Sequence, residues 1–256
     1  MLNFRNTNIV FVLLLILLVW LDKLYNISFW YYLLTFFIYS LVVFWGCYNI
    51  GSNFFIKIIC KATTSKKQIA ISFDDGPAEN YTPEILELLN KNNIKAAFFC
   101  IGNRVEKNEV LLKQVFDEGH IIGNHSYSHA PMFDLFPTGK MCKDLNNMDE
   151  VTKKAIGVKP KLFRPPYGVT NPTVRKAIIN GNYIPVGWSI RSLDTMIKDK
   201  EKLFRRIADI NPGDIVLFHD TSKTTLDILQ TFIEHVQKSG FTFVRLDKLL
   251  NIEPYA

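Results

Sequence analysis

Charge and alanine are scarce at the start of this chain, and paired cysteines are absent throughout it. The first 50 residues contain only three charged side chains, Arg5, Asp22 and Lys23, and no alanine precedes Ala62. The missing alanine argues against an Ala-x-Ala signal-peptidase site. The four cysteines are widely spaced and form no Cys-x-x-Cys pair, which favours buried thiols over a disulfide-stapled small domain.

Concentrated charge of one sign is also missing. The formal net charge is +6, yet no run of five like charges occurs. Nucleic-acid binding is favoured by a basic stripe, so it is not expected here. The composition, 48% hydrophobic and 21% charged, excludes a disordered or collagen-like chain. No protein partner is implied.

The uncharged start has two apolar stretches. The first is apolar from Ile9 to Leu21, and the second runs from about Phe29 to Tyr48. The second can span a hydrocarbon core, which needs roughly 20 residues. The first is short and would need bilayer thinning. Aromatic residues cluster between the two stretches, as is typical of a membrane interface. Residues 1–50 are therefore predicted to be a transmembrane helical hairpin that makes the protein integral to a membrane and contacts lipid.

The side of the membrane follows less directly from the charges. Four lysines follow the second stretch, whereas Lys23 stands alone in the turn, and the positive-inside rule then favours a cytoplasmic domain. A cell-wall substrate would instead require an external domain. The side stays open at this stage. Residues 51–65 are predicted to be a linker.

Residues 66–250 alternate between short β-rich runs and helical patterns. Helices are predicted between the runs, for example over 82–91, 108–118, 171–179, 201–210 and 225–238. Seven strands are predicted, over 68–73, 95–101, 121–125, 162–164, 183–190, 214–219 and 241–246. This alternation indicates an α/β domain in which a parallel sheet closes into a seven-stranded (β/α) barrel.

The chemically distinctive residues follow the predicted strands. Active sites of such barrels lie at the carboxyl ends of the strands. Asp74 and Asp75 end the first strand, although Asp-Gly-Pro is also an ordinary turn sequence. His125 and His129 follow the third strand at a spacing that brings two imidazoles to one ion. Together with Asp75 they would form a two-histidine, one-carboxylate metal site, unless they are incidental loop histidines.

Three later strands also end in polar residues. Arg164 begins an Arg-Pro-Pro-Tyr-Gly sequence, which directs the arginine and frees the Tyr167 N–H. The sixth strand delivers His219 to the rim, and Asp194 follows the fifth. Each could be an ordinary loop residue. Their arrival at the same end of successive strands is difficult to explain by packing.

Four ordered motifs, SFDDGP, HSYSH, RPPYG and LFHD, lie within residues 68–250. In this order they resemble the polysaccharide deacetylases of the NodB-homology type, carbohydrate esterase family 4. The resemblance implies a distorted seven-stranded (β/α) barrel and a metal-dependent hydrolase that removes N-acetyl groups from amino-sugar glycans such as peptidoglycan or chitin-like polymers. It does not extend to residues 1–65.

The resemblance also implies a role for each motif residue. Asp74 would be the catalytic base, oriented by Arg164, and His219 the general acid, kept protonated by Asp194. The implied metal ligands are Asp75, His125 and His129, usually with Zn²⁺, although Co²⁺ or another divalent ion is possible. Tyr167 would offer its backbone N–H to the oxyanion, and Leu217 would form the apolar wall for the acetyl methyl group.

One motif departs from the family pattern. The family often has an acidic residue three positions before the Asp194 position and a tryptophan just after it, where this chain has Arg191 and Thr195. Trp188 is a candidate to supply the missing aromatic wall.

The substrate class is left with alternatives. One is an N-acetylated polysaccharide, and a second is a lipid-linked N-acetyl sugar precursor at the membrane. O-acetyl ester cleavage uses the same site chemistry. The alternative that is not an enzyme is a domain that binds glycan without catalysing a reaction.

Overall fold

The computed structural model describes residues 2–256. Two long helices come first, α1 (Phe4–Tyr25) and α2 (Trp30–Tyr48). The strands that follow are β1 (Gln68–Asp74), β2 (Ala97–Cys100), β3 (Ile121–Asn124), β4 (Leu162–Phe163), β5 (Ile184–Pro185), β6 (Ile190–Arg191), β7 (Ile215–His219) and β8 (Thr242–Phe243). The remaining helices are α3 (Thr82–Lys91), α4 (Gly102–Val105), α5 (Glu109–Asp117), α6 (Thr138–Ile156), α7 (Pro172–Asn180), α8 (Lys200–Ile207), α9 (Lys223–Lys238) and α10 (Leu246–Leu250).

The strands form one parallel, curled sheet. Seven of them follow the order β5-β4-β3-β2-β1-β7-β6, and β8 pairs with the start of β1. The predicted distorted seven-stranded (β/α) barrel is confirmed. The single strand predicted over 183–190 is wrong in detail, because β5 and β6 lie at opposite ends of the sheet path. Pro185 lacks a backbone donor, and the carbonyls of Val186 and Gly187 turn inward to accept hydrogen bonds from Arg164.

Side chains along β1 point alternately toward the core under the helices and toward the barrel interior, where the site lies. Ile69, Ile71 and Phe73 point outward into the core beneath the helices, where Phe73 stacks on a neighbouring phenylalanine. The intervening residues, including Ser72 and Asp74, point into the barrel, as the period of two requires. The same alternation in β7 places Leu217 and His219 on one inward face.

Helices α1 and α2 pack side by side as a hairpin. The rings of Phe11 and Tyr39 stack with centroids 4.2 Å apart, and the Tyr39 hydroxyl donates to Asn8 at 2.9 Å. Helix α1 has 22 residues, so the prediction of a short first span is wrong. Asn3 caps the helix start, and the helix continues through the charged pair Asp22 and Lys23. Both helices are long and apolar enough to cross a membrane.

The segment predicted as a linker, residues 51–65, packs on the barrel. Phe54, Phe55 and Ile58 are buried, and Ile59 forms an isolated bridge with Val186. At the same junction the N–H of Phe4 donates to the Phe54 carbonyl at 2.9 Å. The hairpin and the barrel are therefore joined by a packed connection, while the boundaries of functional domains remain a prediction.

Candidate active site

The inward ends of β1 and β3 bring three predicted metal ligands together. Nε2 of His125 and Nε2 of His129 each lie 3.5 Å from the same Asp75 oxygen, Oδ1. The three ligand atoms all lie within 4.8 Å of one another. Two imidazoles and one carboxylate on a single face match the donor set of a catalytic zinc site that keeps positions for water and substrate.

Hydrogen bonding orients His125 for this role. Its Nδ1 lies 2.8 Å from the carbonyl oxygen of Arg164. Because a carbonyl can only accept, Nδ1 carries a proton, and Nε2 is the nitrogen that faces the cluster. Its backbone N–H donates to Cys100 at 3.0 Å and fixes the residue to the end of β2.

The turn between the two histidines is held by groups that sequence reasoning did not single out. Asp144 accepts from the backbone N–H of Tyr127 at 2.8 Å and of Ser128 at 3.3 Å. The Ser126 hydroxyl accepts from the His129 N–H at 3.0 Å. His129 has a positive φ of 44°, so these bonds hold a conformation that side-chain-bearing residues rarely adopt.

Asp75 also sits in a left-handed conformation, with φ of 76°. Nη1 of Arg104 donates to its carbonyl at 2.6 Å. The next residue, Gly76, packs against the buried carboxyl group of Asp220, which accepts from Thr82 at 2.7 Å. Burial raises the pKa of Asp220 to about 7. Arg104 carried no sequence signal, whereas Asp220 is the last residue of the LFHD motif, although no role was predicted for it.

Asp74 lies beside the metal-type cluster and is bound to a buried arginine. Its Oδ1 accepts from Nη1 of Arg164 at 2.6 Å, and its Oδ2 lies 3.8 Å from Nε2 of His125. Both Asp74 and Arg164 are almost fully buried. A charge-assisted bond of this length fixes one carboxylate oxygen and leaves the other directed toward the cluster.

All three guanidinium nitrogens of Arg164 donate hydrogen bonds, and Nη1 also reaches Asp74. It donates to Ser72 at 3.0 Å, to Val186 at 3.2 Å and to Gly187 at 2.8 Å. Burial lowers the pKa of its guanidinium, and the Asp74 carboxylate opposes that shift. A buried arginine held by four hydrogen bonds positions Asp74 rigidly.

Asp194 and His219 form a second pair across the site. Oδ1 of Asp194 lies 2.7 Å from Nδ1 of His219, and Oδ2 accepts the His219 backbone N–H at 2.7 Å. Ser192 and Thr225 also donate hydroxyl hydrogen bonds to this fully buried carboxylate. Burial alone lowers the pKa of His219, but the hydrogen bond and charge of Asp194 outweigh it and raise the pKa to about 9.

The three remaining predicted residues line the same region. Tyr167 has φ of 60°, and its N–H has no hydrogen-bond partner among residues 2–256. Its ring lies beside His129, with centroids 4.7 Å apart. Leu217 is buried two residues before His219, on the same face of β7. Trp188 packs on Gly168, where an added Cβ would lie 2.5 Å from the indole.

A curled parallel (β/α) sheet with an Asp-His-His cluster at its strand ends defines the class of this protein. Residues 61–185 match the family model described as polysaccharide deacetylase. A peptidoglycan-N-acetylglucosamine deacetylase of Bacillus cereus is 37% identical over 196 residues, which are 73% of this chain and 89% of that protein. The chain belongs to the polysaccharide deacetylase family.

A longer relative matches only in part. The peptidoglycan-N-acetylglucosamine deacetylase PgdA of Listeria monocytogenes is 35% identical over 195 residues. The match covers 74% of this chain but only 40% of the Listeria protein. This chain therefore spans less than half of that relative.

Solved structures agree with the fold. The Bc1960 peptidoglycan N-acetylglucosamine deacetylase superposes with a TM-score of 0.73 at 28% identity, covering 78% of this chain and 95% of that one. BA3943 of Bacillus anthracis, described as a CE4 family pseudoenzyme, gives a TM-score of 0.70 at 27% identity, covering 75% and 68%.

Proposed function

We propose that this chain is a metal-dependent hydrolase that removes N-acetyl groups from an amino-sugar glycan of the peptidoglycan type. The observation that carries the proposal is the meeting of three groups at one end of the barrel. They are the Asp75-His125-His129 cluster, the Asp74–Arg164 pair and the Asp194–His219 pair. The names of the relatives support the glycan class.

The cluster fits a divalent ion, with Zn²⁺ first and Co²⁺ as an alternative. It offers two imidazole nitrogens and a carboxylate, and the hydrogen bond from His125 Nδ1 to the Arg164 carbonyl leaves Nε2 facing the site. When bound, such an ion polarises an amide carbonyl and lowers the pKa of water toward about 7. Asp75, His125 and His129 would hold it.

Asp74 is placed to act as the base. Arg164 occupies Oδ1, so Oδ2 is the oxygen that faces the cluster and can accept a proton from the attacking water. The water oxygen then forms the new bond to the acetyl carbon, while the carbonyl oxygen gains negative charge. The unpartnered N–H of Tyr167 can stabilise that oxyanion, a contribution typically worth about 3–4 kcal/mol.

His219 would protonate the leaving nitrogen. Cleavage of the carbon–nitrogen bond releases acetate and an amine, and the nitrogen must gain a proton as the bond breaks. Because its pKa is raised to about 9, His219 carries that proton at neutral pH. Leu217, on the same inward face, would contact the acetyl methyl group, and Trp188 would form a wall for the sugar.

We propose further that the α1–α2 hairpin anchors the enzyme in a membrane. The two helices are apolar and exposed, with aromatic residues at both ends of α2. Trp30 and Tyr31 lie at one end, and Trp45 and Tyr48 at the other, as in the aromatic belts of membrane proteins. Membrane lipid would surround the hairpin.

The test is acetate release by the purified full-length protein in detergent, with N-acetylglucosamine oligomers and peptidoglycan as substrates. We expect activity that a chelator abolishes and that added Zn²⁺ or Co²⁺ restores. The likeness to a pseudoenzyme favours a silent glycan-binding domain as the second candidate. Glycan binding without acetate release in the presence of either metal would support that candidate and contradict the first.

A further inference from the structure

A groove of about 440 Å³ lies between the end of α2 and the rim of the barrel. One wall comes from the hairpin and the other from the barrel. Its lining residues are Phe44, Trp45, Tyr48, Asn49, Ile50, Trp188 and Arg191. The groove therefore joins the apolar hairpin to a residue of the candidate active site.

The two walls are held in a fixed relationship. The N–H of Thr170 donates to the Cys47 carbonyl at 3.0 Å, which ties the end of α2 to the loop after Tyr167. Gly46 is buried against the ring of Phe54, with no room for a side chain between them. The end of α2 is thus packed on the barrel, and these contacts fix the two walls of the groove relative to each other.

Trp188 is the element shared by the groove and the active site. Its indole packs on Gly168, next to the free N–H of Tyr167. The carbonyl before it, on Gly187, accepts from Nη2 of Arg164 at 2.8 Å. A ligand in the groove would therefore lie directly beside the catalytic centre.

The groove changes from apolar to cationic along its length. Helix α2 has 19 residues, about 28 Å at 1.5 Å per residue, which matches a hydrocarbon core. Phe44 is 60% exposed one turn before Tyr48, where it would face hydrocarbon if α2 spans a membrane. Arg191 lies on the barrel side and is exposed, and its guanidinium lies 5.5 Å from the centre of the Trp188 ring.

The charge at the barrel end is unbalanced. No carboxylate lines the groove, and Arg191 has no ion-pair partner within residues 2–256. Arg206, which does not line the groove, holds the Arg191 backbone, since its Nε donates to the Arg191 carbonyl at 2.7 Å. An anionic group at headgroup level, attached to an apolar chain on one side and to a sugar on the other, would match this order of surfaces.

We propose that the groove binds the phosphate and first isoprenoid units of a polyprenyl-phosphate-linked N-acetylated amino sugar. Phe44, Trp45 and Tyr48 contact the isoprenoid, Arg191 binds the phosphate, and the sugar passes Trp188 into the active site. This inference rests on the proposed deacetylase function. A free polysaccharide has no apolar chain to contact the part of the groove that would face hydrocarbon. The groove therefore favours a membrane-linked substrate.

The activity test uses the full-length chain in lipid nanodiscs made of a zwitterionic phospholipid. Its substrates are polyprenyl-phosphate-linked N-acetylglucosamine and a water-soluble N-acetylglucosamine oligomer. We expect the wild type to prefer the lipid-linked substrate in kcat/KM. Arg191→Gln should lower that preference about tenfold or more, because a hydrogen bond to a charged group is lost. Arg191→Lys should restore part of it.

Arg175→Gln is the matched control. Arg175 is an exposed cation near the start of α1, lining a different groove, so its loss changes the charge near the membrane without touching Arg191. We expect no change in preference for this variant. An equal loss of preference in both variants would reduce the effect to general surface charge and would overturn the proposal.

A binding measurement separates this inference from the proposed function. Native mass spectrometry of the full-length protein should detect retention of polyprenyl phosphate, weaker retention of the uncharged polyprenol, and loss of that difference in Arg191→Gln. Binding without acetate release from either substrate would contradict the proposed deacetylase function but not the proposed binding of a lipid phosphate in the groove. Acetate release from the soluble oligomer without phosphate-dependent lipid binding, or an equal loss on both substrates in Arg191→Gln, would overturn the groove.

Discussion

Asp194 accepts both the ring Nδ1–H and the backbone N–H of His219, each at 2.7 Å. Two bonds from one buried carboxylate fix the orientation of the imidazole as well as its charge. Nε2 is consequently the nitrogen left to face a substrate. In the proposed reaction this pair supplies the proton that the departing amine requires.

Removal of the Asp194 charge should change the pH dependence of the reaction. In the wild type His219 stays protonated up to about pH 9. In Asp194→Asn the imidazole should return toward its ordinary pKa of about 6.5 or below, since burial is then the dominant influence. The alkaline limb of kcat should therefore move to lower pH, and kcat at pH 8 should fall about 30-fold.

The control for this shift is Asp227→Asn. Asp227 pairs with Lys200 and Lys223 on the outer surface, so its loss removes a carboxylate without altering the site. Its pH profile should match the wild type. An Asp194→Asn profile that keeps its alkaline limb near pH 9 would contradict the assignment of His219 as the acid.

Arg164 should matter for stability as well as for activity. Arg164→Met leaves the Asp74 carboxylate buried without its cation, a change that typically costs about 3–5 kcal/mol. Arg164→Lys keeps the charge but not the planar set of donors, so its loss should be smaller. Thermal unfolding of the full-length protein in detergent checks the order, and equal melting temperatures for all three would contradict the described pairing.

Metal content should depend on the cluster and on the turn that holds it. His129→Ala removes a ligand and should lose most bound zinc. Asp144→Ala removes only the support for the Tyr127 and Ser128 N–H groups and should lower metal affinity by about 10–100-fold. His235→Gln, in the outer helix α9, is the control. Elemental analysis after dialysis against a weak chelator gives the comparison.

A two-span hairpin predicts that both termini of the chain lie on the same side of the membrane. Because Phe4 and Phe54 are hydrogen-bonded at the same junction, tags at the two termini should report the same side of the membrane. The lysines after α2 favour the cytoplasm as that side, where the substrate would be a membrane-linked precursor, whereas an external side would favour finished cell-wall glycan. Accessibility of each tag in intact and permeabilised cells tests this. Tags on opposite sides would contradict a two-span hairpin.

The sequence was informative where chemistry and strand ends coincide. Asp74, Asp75, His125, His129 and His219 could be placed at one rim because parallel strands end at a common edge. The structure brings all of them together, and their roles stay predictions until tested. Even the poorly matched motif around Asp194 supplies a carboxylate to His219.

The residues that support the site could not be predicted from the sequence in the same way. Asp144 and Arg104 hold the ligand loops through hydrogen bonds that join distant parts of the chain, and no residue spacing predicts them. Asp220 belongs to the LFHD motif, but its packing against Gly76 does not follow from the motif. The groove beside Trp188 was hidden for the same reason. It exists only because α2 packs on the barrel, a tertiary contact that hydropathy does not encode.

The most direct test of the catalytic account is Asp74→Asn in the full-length protein, with acetate release and bound zinc measured on the same sample. The substitution removes the proton acceptor but leaves Asp75, His125 and His129 in place. The account predicts a zinc content equal to the wild type and a loss of nearly all turnover. Full turnover with normal zinc content would show that Asp74 is not the base and would contradict the mechanism proposed here.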